Sequence, residues 1–388
     1  MQDPEALRLH YQDFLEPRGE PPRILLTGHS HQAWPACARD GVIESYSLAA
    51  QHVDDKWAAV FAARDEVAQH IASRIGGSPS QLAFAQNTHE LVVRWLSALD
   101  LRARPRIVST RGEFHSAYRQ LQRLREEGID LHLVDALPVH TLAQRLADAL
   151  TEDTAAVMVS SVLFETSHVV PKLEELIARA NSLGVSVMLD GYHAFDALEY
   201  APSEDAFVVS GGYKYAQWGE GVCFMRVPTG CTLRPIYTGW FAGFAQLSAP
   251  RDNRETHYET DGATRFAGST FDPASVLRAR AVVRFFEREG LTVENLRARS
   301  LGQTQRIIEQ AATWPGVRIA TPHEAAERGG FVSLETPHAD ALVTALRREH
   351  IYVDSRANYL RLGPAPYVTD HELARALDTV ARLVHATI

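Results

Sequence analysis

Between residues 106 and 227 the chain alternates short apolar runs with helical stretches of about 10–15 residues, and this alternation restricts its fold most. Arg106–Ser109, Leu131–Val134, Ala155–Ser160, Val185–Leu189, Ala206–Val209 and Gly221–Val227 read as strands. Ser116–Glu127, Leu142–Leu150 and Lys172–Leu183 read as the intervening helices, the last ended by Gly184. Strands that alternate with helices predict an α/β fold around a mostly parallel sheet with helices on both faces. Ahead of it, residues 4–16 form a short helix, 21–35 an extended arm and 36–75 a largely helical stretch. A short apolar piece, Leu82–Ala85, runs into Asn87 or Thr88 as the N-cap of another helix. After a long irregular segment, 237–272, come helix Ala274–Glu289 and an α+β region with helices at 293–313, 339–349 and 370–386. Its strands fall at 317–319, 331–335, 351–354 and 358–362. The expected division is an N-terminal arm (1–35), a large domain (36–272) and a smaller C-terminal domain (273–388), in keeping with the length of 388 residues.

Composition removes several function classes. A net charge of −9, with no basic stripe, argues against nucleic acid as a partner. No run approaches the ~18 apolar residues of a membrane span, and the polar N-terminus lacks a signal peptide's apolar core. Cys37, Cys223 and Cys231 form neither a metal-type CxxC nor a paired framework, so the expected setting is a reducing cytoplasm. His29 and His31 could chelate together with His115 or His193, but no HExxH or paired-carboxylate spacing accompanies them, and no metal is expected.

Two strand ends carry the chemistry. Strand 185–189 ends in Asp190, followed by His193. In open α/β sheets ligands sit beyond the carboxyl ends of the strands, where a carboxylate can meet a cationic ring nitrogen. Taken alone, a strand-end Asp such as Asp190 is more often a turn cap. Strand 206–209 runs into Ser210-Gly211-Gly212-Tyr213-Lys214-Tyr215. A lysine set among two tyrosines and Trp218 is partly desolvated, which favours the neutral amine that Schiff-base chemistry needs. Taken alone, Lys214 could equally reach out to solvent. Together they match pyridoxal phosphate (PLP), which uses an amine for its aldehyde and a carboxylate for its pyridine nitrogen.

Asp190-Gly-Tyr-His193 followed by Tyr213-Lys214-Tyr215 resembles the kynureninases, class-V members of the fold type I PLP enzymes, and the resemblance can be followed over roughly residues 22–380. It implies Lys214 as the Schiff-base lysine, Asp190 on the pyridine nitrogen, His193 beside the cofactor, and Tyr213 touching the phosphate and donating a proton. It implies Asn87 and Thr88 at the phosphate, where a helix N-terminus also favours an anion. It implies Phe114 stacked on the ring, with His115 as the alternative, and Trp240 near cofactor and substrate. Thr270, in Gly268-Ser269-Thr270, would reach the phosphate across a homodimer interface. Arg361, with Arg356 nearby, would clamp the α-carboxylate of an amino-acid substrate, for which a guanidinium fork is suited. The implied reaction is hydrolysis of a Cβ–Cγ bond of kynurenine or a related compound. The alternatives are class-V transamination or cysteine/selenocysteine-lyase chemistry, and a PLP fold without catalysis. A desulfurase would need a small-lobe cysteine, and none follows Cys231. Several substrate-side blocks differ from the family pattern, among them Gly28-His29-Ser30, Phe114-His115-Ser116-Ala117 and Ala242-Gly243-Phe244.

Overall fold

A computed structural model describes residues 3–248, 250 and 255–387; parts of the irregular 237–272 stretch lie outside the described residues. In chain order the strands are β1 (Ile24–Leu25), β2 (Leu82–Ala85), β3 (Arg106–Thr110), β4 (Asp130–Val134), β5 (Thr154–Ser160), β6 (Ser186–Asp190), β7 (Phe207–Gly211), β8 (Cys223–Arg226), β9 (Arg318–Ile319), β10 (Val332–Glu335), β11 (Ile351–Tyr352), β12 (Asp354–Arg356) and β13 (Tyr359–Leu362). The main sheet has seven strands in the order β2-β8-β7-β6-β5-β3-β4. All its pairings are parallel except those of β8, which runs antiparallel to both neighbours.

The central strands are covered on both faces, which is why they read as continuous apolar runs. Val157, Val159, Val187, Leu189 and Val208 belong to one buried cluster. Ala156, Met158, Met188, Phe207 and Val209, alternating with them along the same strands, belong to a second cluster. The strand period of two thus divides each strand between two cores. One consequence decides where chemistry can occur. The carboxyl ends of β2, β3, β5, β6 and β7 emerge at the same edge, and those of β2, β3, β6 and β7 continue into segments singled out above.

The C-terminal part carries an antiparallel sheet of order β12-β13-β10-β9. The single strand expected at 351–354 is two strands in different sheets. β11 pairs with β1 of the N-terminal arm, and β12 pairs with β13; buried Val353 marks the handover. The helix expected at 4–16 is broken into Pro4–Arg8, a 3-10 turn at Leu9–Tyr11 and Gln12–Leu15. The helical stretch 36–75 divides at Val53, whose φ of 48° ends Cys37–His52 before Lys56–Ile75 begins. Helix Pro273–Arg288 packs on both of these helices. Its backbone at Leu277 and Arg278 comes so close to Gly41 that a Cβ there would sit 2.6 Å from the Leu277 carbonyl oxygen.

Candidate active site

A cavity of about 830 Å³ opens at the carboxyl edge of the main sheet, lined among others by Asn87, Thr88, Phe114, Asp190, His193, Tyr213 and Lys214. Seven residues from four separate segments therefore meet in one space.

Lys214 reaches it from the turn after β7. Neither Gly211 nor Gly212 has a positive φ. What the turn needs from them is close approach. A Cβ on Gly212 would lie 2.3 Å from the Trp218 ring, and one on Gly211 2.4 Å from both Cys223 Sγ and the Tyr192 hydroxyl. The packed turn holds Lys214 inward, 5% exposed. Its Nζ lies 2.8 Å from His193 Nε2 and 4.7 Å from the Tyr192 ring centre. Burial pushes the amine down to about 7, against the opposing attraction of Asp190. Near neutrality a large share of Lys214 is therefore uncharged. Burial, with the charges of Lys214 and Arg361, also drives His193 well below the ordinary imidazole range, so it stays neutral. Its Nδ1 is buried with no hydrogen-bond partner among the described residues.

Asp190 ends β6. Its Oδ1 accepts the Tyr192 N–H at 2.9 Å. Its Oδ2 has no protein partner among the described residues, and the side chain lines the cavity. Burial raises its pKa, only partly offset by that hydrogen bond and by Lys214. A carboxylate in this position gains from a cationic N–H partner.

At another wall, helix Thr88–Ser97 begins. Asn87 caps it by accepting the Glu90 N–H at 2.9 Å, so its side-chain oxygen serves the helix, while Thr88 also lines the cavity. Phe114 precedes helix His115–Glu126, sits edge-to-face on Phe164 and lies 5.6 Å from Lys214 Nζ. His115 packs on Phe164 but does not line the cavity. The Tyr213 phenol is pushed up to about 12 by burial, which makes it a proton donor rather than a phenolate.

Three expected residues lie elsewhere in the single chain. Trp240 is exposed and stacked on Phe241 at 4.2 Å, outside the cavity. Thr270 borders a second cavity of about 580 Å³, which abuts the first because Gln86 and Gly221 line both. Arg361 on β13 is buried behind the first cavity. Asp354 and the carbonyl of Phe164, itself a wall residue, hold its guanidinium. Of the proposed metal ligands, His29 is buried, stacked on Phe331 and bonded to Asp354 at 2.8 Å. Among the described residues no group of three or more His, Cys, Asp or Glu could hold a metal ion, and no helix is long and apolar enough to cross a membrane.

Sequence reasoning passed over Glu113, Ser160 and Asp354. Glu113 is buried beside Phe114 and takes hydrogen bonds from the Thr110 hydroxyl (2.7 Å), the Ser160 hydroxyl (2.6 Å) and the Ser160 N–H (3.2 Å). Burial raises its carboxyl to about 7 despite these donors. No local pattern marks such a residue, since its partners lie on two different strands. Asp354 was accessible in principle: in a hairpin joining the two expected strands it stands directly opposite Arg361.

A family profile for the kynureninase C-terminal domain matches residues 296–380. The kynureninase of Pseudomonas fluorescens is 26% identical over 275 residues, 68% of this chain and 63% of that protein. That of Geobacillus thermodenitrificans is 26% identical over 328 residues, 79% of this chain and 74% of that one. Among solved structures, a lysine mutant of C-DES with glycine covalently linked to its PLP cofactor superposes with a TM-score of 0.84. It shares 18% identity, over 98% of this chain and 99% of that one. A cysteine desulfurase from Thermococcus onnurineus NA1 gives a TM-score of 0.81 at 20% identity, over 100% of this chain and 99% of that one. At these identities the structures establish the fold.

Proposed function

We propose, from the premise that the chain is a kynureninase-like protein with the fold of the class-V PLP enzymes, that it is a PLP-dependent enzyme acting on an amino acid. The observation that carries this reading is the meeting of one buried, easily deprotonated amine and one under-satisfied carboxylate in a single cavity. The residues present fit the cofactor. Lys214 offers a neutral amine for an aldehyde, Asp190 Oδ2 an acceptor for a protonated ring nitrogen, and Phe114 a flat apolar face. Thr88 at a helix start offers hydroxyl and backbone donors for a phosphate. Bound there, PLP supplies an electrophilic carbon and an electron-withdrawing ring.

The chain's own residues then divide the work. Asp190 stays ionised against the ring cation. Lys214 Nζ, once free, would serve as the base for a substrate Cα proton, and its lowered basicity suits proton transfer near pH 7. His193 Nε2, 2.8 Å away, keeps that nitrogen in place. The Tyr213 hydroxyl holds a proton available for donation. Arg361 binds the substrate's α-carboxylate.

The reaction we favour is kynureninase-like hydrolysis of a Cβ–Cγ bond. Desulfurase chemistry is disfavoured by the thiols: Cys223, the one cysteine lining the cavity, is pushed up to about 12 by burial and stays protonated. A second copy of the chain, in a two-fold dimer, would bring Trp240 and Thr270 to the site from outside. The assay is release of anthranilate or 3-hydroxyanthranilate from L-kynurenine or its 3-hydroxy form by the PLP-loaded protein. Release supports the hydrolase. A protein that binds PLP at Lys214 but releases neither loses the substrate assignment and keeps the cofactor.

A further inference from the structure

Arg361 is not a free clamp. A guanidinium has five N–H donors. Nε donates to Asp354 Oδ1 at 2.9 Å, Nη2 to Asp354 Oδ2 at 2.6 Å, and Nη1 to the Phe164 carbonyl at 2.6 Å. One hydrogen on each Nη is left without a protein acceptor among the described residues. That is the number of donors one carboxylate takes in a bidentate pair.

The sheet builds this arrangement. Asp354 on β12 and Arg361 on β13 are directly opposite in antiparallel register, and the hairpin turns through Ala357 at φ 48°. Asp354 is tied down in turn. His29 Nε2 lies 2.8 Å from Oδ1, and Arg356 Nη2 stands 3.7 Å from Oδ2. Burial opposes its ionisation, but the hydrogen bonds and charges of His29 and Arg361 outweigh burial and hold the carboxyl well below its usual range. Phe331 forms a floor beneath the group, stacked on His29 at 4.6 Å and 5.6 Å from the Arg361 guanidinium carbon. A long side chain that would otherwise sample many rotamers is thus fixed before any ligand arrives, which lowers the ordering cost of binding.

We infer that Asp354 is the positioning residue of the carboxylate site: by occupying one edge of Arg361 it leaves two donors for a single substrate carboxylate. The inference rests on the reading of Arg361 as the α-carboxylate ligand and adds what makes that ligand selective. A mere structural ion pair would affect all ligands alike. A positioning pair affects only those that carry the carboxylate.

L-alanine and L-alaninamide, which differ at that group alone, are the probes. Each is titrated into PLP-loaded protein and followed by the change in visible absorption, for the wild type, Asp354→Asn and Arg361→Gln, with thermal melts alongside. Asp354→Asn is expected to weaken L-alanine binding by about tenfold or more and to change L-alaninamide binding by less than about twofold. Arg361→Gln is expected to show the same selectivity. Asp354→Glu keeps the charge on a longer arm, and a smaller selective loss is expected of it; it serves as the test if Asp354→Asn does not fold. Equal loss for both probes, or no loss, in the Asp354 variants while Arg361→Gln stays selective would overturn the positioning role alone. Loss of selectivity in Arg361→Gln as well would remove the carboxylate reading of Arg361 and this inference with it.

Discussion

Burial takes the Lys214 amine from its ordinary 10.5 to about 7, and Asp190 resists that fall. The two effects give a signed prediction. Capture of PLP by the apoprotein, followed as growth of visible absorption, should speed up as pH rises through about 7, well below the usual lysine range. Asp190→Asn removes the carboxylate that raises the amine's pKa, so the midpoint should move lower while the affinity for PLP falls. A midpoint near 10 would contradict the buried setting. The same shift bears on stability. Between about 7 and 10.5 the unfolded chain binds more protons at this group than the folded one, so its contribution to apoprotein stability rises with pH across that window. Denaturant titrations of wild type and Lys214→Met at pH 7 and pH 10 check the sign: the wild type should gain relative to the variant at the higher pH.

Strand ends and helix starts place the site, and their failure modes differ. Gly212→Ala would press a methyl into Trp218, displacing the Lys214 turn. We expect a loss of about 1–3 kcal/mol of stability together with lower cofactor occupancy. Asn87→Ala removes the N-cap of helix Thr88–Ser97 and should cost about 1 kcal/mol in denaturant unfolding. These elements were legible in the sequence. Buried parallel strands are apolar on both faces, and each ends where polar or glycine residues begin. Asp190 and Lys214 could therefore be set at adjacent strand ends from their positions alone. The rest depends on pairing across the fold. Glu113 gains its environment from Thr110 and Ser160 on β3 and β5. Arg361 gains its restraint from a strand partner seven residues away, while the sequence shows only an arginine in an apolar run. The close approach at the two glycines after β7 belongs with these, because a sequence does not show which ring packs against a glycine.

At the scale of the whole molecule, the segment beyond β8 exposes Ile236, Tyr237, Trp240, Phe244 and Leu247. Apolar groups so concentrated call for a covering surface, and Thr270 borders a cavity that abuts the one holding Lys214. Sedimentation should therefore show a dimer, and a Trp240→Ser/Phe244→Ser double variant should shift it toward monomer with a loss of turnover. A fully active monomer would contradict a shared site. All of these expectations depend on where the cofactor is attached. PLP-saturated protein reduced with borohydride and mapped by peptide mass spectrometry should carry one phosphopyridoxyl group, on Lys214, and Lys214→Ala should carry none. A label on another lysine, or an unmodified Lys214 in saturated protein, would contradict the account.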